Sequence, residues 1–106
     1  MAKTTISATN ARKLGKLFGI NYKVVPFREW HNGLNVELEH GKMFGKLTNV
    51  TNNNHLVTAR IAIAHLLEDP MYYYFLKKIE TKREKYWKNK GTPKPSIFTI
   101  SKKRIR

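Results

Sequence analysis

The sequence contains no cysteine, which limits the chemistry open to it. Without thiols the chain can form neither a disulfide nor a thiolate metal site, and this fits a reducing compartment. Long hydrophobic runs are also missing: none approaches the ~18 residues of a membrane span, and residues 1–13 hold no apolar signal region. We therefore expect a protein that is neither secreted nor embedded in a membrane.

Acidic residues are absent from both ends of the chain. All seven of them lie between Glu29 and Glu84, where seven lysines and arginines balance them, so the net charge of +14 comes from the two ends. A neutral body with cationic ends is typical of proteins that bind a polyanion, most often nucleic acid. The alternative interpretation is a charged surface that serves solubility, although an excess of this size repels itself.

The hydrophobic pattern predicts an all-α fold, a compact bundle of about four helices in residues 1–91, followed by a separate extended basic tail in residues 92–106. The predicted helices run from Ser7 or Thr9 to Phe18, from Pro26 to Gly41, from Asn54 to Asp69 and from Pro70 to Asn89. Residues 1–7 are expected to be frayed. Residues 42–53, rich in Asn, Thr and Gly, are expected to form a loop.

The third predicted helix is the most apolar stretch of the chain. Its apolar side chains recur around almost the whole helical circumference, which is typical of a helix buried on all sides, so we expect it to be central. In the second helix, Gly33 interrupts a stripe formed by Phe27, Trp30, Leu34 and Leu38. Since a helical glycine costs about 1 kcal/mol relative to alanine, Gly33 either is simply tolerated or marks a close helix crossing.

The fourth predicted helix carries the densest aromatic cluster, Tyr72–Phe75. The following residues share one third of its circumference: Tyr72, Phe75, Leu76, Ile79, Arg83 and Tyr86. Core packing is the favoured interpretation of these aromatics. The alternative is that an exposed ring among the lysines of this helix stacks on nucleic-acid bases.

Two pairs of polar residues offer the only ligand-like composition: Glu37 with His40, and His65 with Glu68. Each pair is three apart and so shares a helix face. Antiparallel helices would bring the pairs together, in the manner of carboxylate-bridged metal sites in helical bundles. The alternative is a structural hydrogen-bonded network with no cofactor, which we favour over a divalent metal because the other helices supply no further carboxylates.

The segment GLNVELEHG, residues 33–41, is similar to a small family of unknown function found in large double-stranded DNA viruses, phages and some bacteria. The similarity continues through TNVT (48–51), IAIAHLLE (61–68), Pro70 and Tyr72-Tyr73, and covers roughly residues 27–76. It brings no known activity. It implies one shared site made of Glu37, His40, Asn49, Thr51, His65 and Glu68. Both basic ends lie outside it.

Together these features predict a non-enzymatic, basic, viral interaction protein that binds DNA or RNA through phosphates, in the virion or in the host cytoplasm or nucleus. The expected nucleic-acid contacts are Arg12, Lys13, Lys16, Lys94, Lys102, Lys103, Arg104 and Arg106. No phosphate-binding glycine loop or nucleophile elbow indicates an enzyme. Two alternatives remain: a virion structural protein whose tail docks on partner proteins through Ile97, Phe98 and Ile100, and a small metal-binding protein built on the Glu/His pairs.

Overall fold

The computed structural model describes residues 4–98 and contains four α-helices within them. They are α1 (Ala8–Phe18), α2 (Phe27–Glu37), α3 (His55–Glu68) and α4 (Tyr72–Lys90). Three single-turn 3₁₀ helices, Leu38–His40, Lys42–Phe44 and Lys46–Thr48, lead from α2 into the segment before α3. Residues 4–98 contain no strand, so the predicted all-α bundle is confirmed.

The helix ends follow the capping residues of the sequence. The Ser7 hydroxyl accepts a hydrogen bond from the Asn10 N–H at 3.1 Å, and the Asn54 side chain accepts one from Val57 at 3.0 Å. Gly19 and Gly91 end α1 and α4 in the left-handed conformation, both with φ 73°. Such caps satisfy backbone groups that a helix end leaves unpaired, and they explain why local sequence predicted these boundaries well.

The centre of the bundle is α2, and the expectation that α3 would be central is wrong. Trp30 and Leu34 of α2 are fully buried, and α2 packs against all three other helices. By contrast, α3 buries one side only, through Thr58, Ala59, Ala62 and Leu66, while Leu67 is 81% exposed. A chain of this size has too little material to surround an apolar helix on every side.

Residues 4–7 are held in place rather than frayed. The Ile6 side chain is buried. Its backbone N–H donates to the Asn35 side-chain oxygen at 2.7 Å, and its carbonyl accepts from the Asn35 amide at 3.1 Å. The side chain of Asn35 therefore pairs with Ile6 much as a neighbouring strand would, and fixes the entry to α1.

Most of α4 lies on the surface. Of its 19 residues only Tyr73 is buried. From Lys77 to Lys90 every residue is exposed except the half-buried Trp87. The predicted apolar stripe of this helix therefore faces solvent over most of its length. None of the helices in residues 4–98 is long and apolar enough to cross a membrane.

Candidate functional site: a buried carboxylate pair and a basic helix

Tyr73 is held by one face of α2 at two points, its backbone N–H and its phenol. Its backbone N–H donates to the Glu29 carboxylate at 2.5 Å, and its phenol donates to the Glu37 carboxylate at 2.6 Å. Its ring crosses α2 at Gly33, where an added Cβ would lie only 2.5 Å from a ring carbon. Gly33 thus marks a close helix crossing, which is one of the two interpretations that the sequence left open.

The spacing of these three α2 residues explains the arrangement. Glu29, Gly33 and Glu37 follow one another at intervals of four, so they share one face of the helix. The Glu29 carboxylate also accepts the Tyr74 N–H at 3.1 Å, and Met71, at the N-cap position of α4, makes no side-chain cap. Glu29 therefore caps α4 from another helix, where a negative charge also complements the helix dipole.

Glu37 is 3% exposed and lies between two histidines. His40 Nε2 is 3.4 Å from one of its oxygens, and His65 Nε2 is 3.8 Å from the other. Burial, and then the hydrogen bond to Glu37, raise the pKa of the Tyr73 phenol above its ordinary range. Tyr73 therefore remains a proton donor to the Glu37 carboxylate at any physiological pH.

His65 is fixed by aromatic contacts more than by hydrogen bonds. Its ring stacks on Tyr72, with centroids 4.3 Å apart, and meets Tyr73 edge-on at 6.2 Å. Its Nδ1 is buried and, within residues 4–98, has no hydrogen-bond partner; the same is true of the Thr51 hydroxyl. The ring thus braces the junction of α3 and α4.

The segment between α2 and α3 is hydrogen-bonded to the backbone of His40, beside the carboxylate site. The N–H groups of Val50 and Thr51 donate to the His40 carbonyl at 2.7 and 3.2 Å. Asn49 instead braces the loop itself, since its side-chain oxygen accepts the Asn52 N–H at 2.8 Å. Of the site that the family resemblance implied, Thr51 therefore adjoins His40, whereas Asn49 serves the local turn.

The structure brings together Glu37, His40 and His65, but not Glu68, which is exposed on the last turn of α3. The predicted four-residue cluster is therefore corrected to three. Within residues 4–98 no group of three or more histidine, aspartate or glutamate side chains is arranged to hold a metal ion. The contacts that the structure does show join α2 to α4 through the Tyr73 hydrogen bond and to α3 through His65.

The basic residues form the second candidate site. Arg12, Lys13, Lys16 and Lys94 are exposed, and the Arg12 guanidinium lies 4.0 Å above the Phe27 ring. The other four predicted contacts, Lys102, Lys103, Arg104 and Arg106, lie outside the described residues. The tail residues 94–98 line a groove of about 730 Å³ together with Phe44, Leu47 and Thr48 of the 3₁₀ helices.

The predicted phosphate contacts did not include α4, which the sequence analysis considered only for the stacking of an exposed ring on bases, although this helix is the most cationic surface described. It carries two glutamates and seven exposed cations: Lys77, Lys78, Lys82, Arg83, Lys85, Lys88 and Lys90. The only ion pairs within residues 4–98 join Glu37 to histidines. No lysine or arginine in that range is therefore neutralised by a carboxylate.

Several of these cations lie over exposed aromatic rings of the same helix. Lys78 Nζ is 4.8 Å from the Tyr74 ring centre, and the Arg83 guanidinium is 4.3 Å from that of Tyr86. Lys90 approaches the same Tyr86 ring at 5.3 Å. The sequence carries this signal as an aromatic cluster among lysines, a pattern that also fits the core packing favoured above.

Comparison with known protein families assigns the chain to one of them. A protein family of unknown function, DUF5661, matches residues 11–82, which include all four helices except the ends of α1 and α4. No curated protein and no solved structure shows significant similarity to the chain. Since the family covers more than half of its length, the chain belongs to the DUF5661 family.

Proposed function

We propose that this chain is a non-enzymatic, basic nucleic-acid-binding protein that contacts phosphates without reading sequence. The observation that carries the proposal is the set of exposed lysines and arginines on α1, on α4 and at Lys94, none of which pairs with a carboxylate within residues 4–98. Cations that no carboxylate neutralises remain available to neutralise phosphates. The buried carboxylate site then serves the scaffold that presents them.

The surface chemistry favours phosphate contacts over base recognition. Lysine supplies most of the charge on α4, as a flexible point charge rather than a planar fork. Contacts of this kind fix a protein on nucleic acid but carry little sequence information. The resemblance of residues 27–76 to a family found in large DNA viruses, phages and some bacteria fits a viral setting for this activity.

A salt series of binding titrations tests the proposal. The full chain is titrated against a labelled duplex at about 50 and about 200 mM salt, a range over which phosphate-binding proteins lose much of their affinity. Two opposite charge changes on α4 are then compared. Neutralising Lys82, Lys85 and Lys88 to glutamine should weaken binding and lower the salt slope by about 0.9 for each phosphate that the protein no longer neutralises. Neutralising Glu80 and Glu84 to glutamine should strengthen binding.

The matched pair of variants separates phosphate contacts from loss of the fold. All five positions are exposed on one helix, so both variants should retain the helical circular dichroism of the parent. A third variant, truncated after Gly91, measures the share of the tail. Affinity that is independent of salt, or that falls equally in the lysine and glutamate variants, would overturn the proposal.

A second candidate function has its own observation. Ile97 in the tail is 88% exposed, and the tail segment from Lys94 to Phe98 lines a groove with Phe44 and Leu47. An exposed apolar residue in an extended segment is suited to docking on a partner protein. A virion structural role predicts co-sedimentation with capsid protein that resists salt and is lost in Ile97→Asp.

A further inference from the structure

We infer that the exposed face of α4 is a binding site for single-stranded nucleic acid, whose bases stack on Phe75 and Tyr86. The inference deepens the proposed function and rests on it. It specifies the form of nucleic acid, which phosphate contacts alone do not determine. It starts from side chains that the fold leaves unburied although they are among the most apolar of the helix.

Phe75, Ile79 and Tyr86 form an apolar stripe that the bundle does not cover. They are 50%, 60% and 44% exposed. Eleven residues separate Phe75 from Tyr86, close to three full turns, so the two rings point to the same side of the helix about 16 Å apart along its axis. Two aromatic rings on one open face, with an apolar residue between them, make a platform rather than a pocket.

A cationic side chain lies near each of the two aromatic rings. Lys78 lies 5.9 Å from the Phe75 ring centre, and Arg83 lies 4.3 Å from that of Tyr86. Lys82 is on the same side of the helix, between the two rings, by the helical period. A base that stacks on either ring would thus place its phosphates within reach of a lysine or arginine, which is the combination that single-strand-binding proteins use.

Charge decides which occupant fits this face. The stripe would also suit the apolar seam of a helix pair, but α4 carries seven cations against two glutamates, so a second copy would bring like charges together. A duplex matches the charge, but its base faces are already stacked on one another. A single strand offers both phosphates and free base faces, and only it uses the lysines and the rings together.

The test compares a labelled oligothymidylate with a duplex of equal length, using the full chain. In Phe75→Leu and Tyr86→Leu the side chain stays apolar but loses its aromatic face. Each should weaken binding of the single strand roughly 5- to 150-fold and leave duplex binding and the salt slope unchanged. Tyr74→Leu is the matched control, since Tyr74 is also exposed, at 43%, on the same helix but lies about 100° around the axis from the Phe75–Tyr86 stripe.

An independent optical signal accompanies the titration. Trp87 packs edge-on against Tyr86 with ring centres 5.0 Å apart, so a base stacked on Tyr86 should alter tryptophan fluorescence. Equal losses on single strand and duplex, or unchanged single-strand binding in both leucine variants, would overturn the inference and leave the proposed function standing. A dimer that these variants dissociate would overturn it in favour of a second copy. Absence of any salt-sensitive binding would remove both proposals.

Discussion

Replacing Tyr73 with phenylalanine tests the buried carboxylate site with the loss of a single oxygen atom. The phenol donates a 2.6 Å hydrogen bond to Glu37, whose side chain is almost fully enclosed. After the substitution, the nearest donor to the same oxygen is His65 Nε2 at 3.8 Å, which is too long for a good hydrogen bond. The Glu37 carboxylate would then remain buried with its best donor removed.

The expected cost follows from the charge of the acceptor. A hydrogen bond to a charged group contributes about 1.5–3 kcal/mol, and a buried acceptor that loses its donor also bears its desolvation penalty. We therefore expect Tyr73→Phe to lower the free energy of unfolding by about 2 kcal/mol. In a small domain of marginal stability this is a large fraction of the total.

Urea unfolding followed by circular dichroism measures this loss, and the next residue supplies the control. Tyr74→Phe removes the same hydroxyl from an exposed ring and should change stability by less than about 0.5 kcal/mol. Combining Tyr73→Phe with Glu37→Gln should cost less than the sum of the two single changes. Equal stability of the Tyr73→Phe and Tyr74→Phe proteins would refute the assigned role of Glu37.

Two further predictions concern the same crossing. Gly33→Ala places a methyl group against the Tyr73 ring, so the clash of about 1–3 kcal/mol should outweigh the helix-propensity gain of about 1 kcal/mol. The control Asn32→Ala, at an exposed position, should not destabilise the fold. A Gly33→Ala protein that is more stable than the parent in urea unfolding would contradict the close approach. Because the fold raises the pKa of Tyr73, the protonated phenol stabilises the folded state fully at pH values below the ordinary tyrosine pKa of 10.0. This contribution to the free energy of unfolding is lost as the pH rises above that value. Denaturation at graded alkaline pH should therefore show a loss of stability above pH 10 that is reduced in Tyr73→Phe, and identical profiles for the two proteins would contradict this.

Local signals in the sequence predicted the helices well because local chemistry sets helix ends. Ser7, Gly19, Asn54 and Gly91 cap or end their helices through bonds and backbone angles that depend on a few neighbouring residues. The order of burial among the helices depends instead on which surfaces meet. The apolar character of α3 therefore led to the wrong prediction that α3 is the central helix of the bundle, whereas its Leu67 remains exposed.

The sequence predicted only part of the carboxylate site, because the contacts between its helices depend on which surfaces meet. Helical spacing predicted Glu37 and His40 on one side, and the structure places His65 of α3 beside Glu37. Tyr73 comes from a third helix, α4, and connects Glu37 to Glu29 of the same α2 face. Glu29 at the start of α2 resembled an ordinary surface acid, and only the fold shows that it caps α4. A glycine midway between two glutamates at intervals of four was the available sequence signal.

The exposure of the aromatic residues of α4 could not be predicted from their spacing. Their periodicity is that of a buried stripe, and nothing in the pattern distinguishes a stripe covered by a neighbour from one left open. The structure leaves Phe75, Ile79 and Tyr86 exposed, since Tyr73 is the only residue that α4 buries. Whether a partner covers such a face in the cell is a question of binding rather than of folding.

The proposed phosphate contacts are tested most directly by the salt dependence of nucleic-acid binding by the unaltered chain. Titration of an oligothymidylate and of a duplex at several salt concentrations gives the slope of log affinity against log salt for each. Phosphate neutralisation predicts linear, steep slopes for both, and base stacking on α4 predicts that the single strand binds more tightly at every salt concentration. A slope near zero, or no binding at low salt, would contradict the proposal that these exposed cations neutralise phosphates.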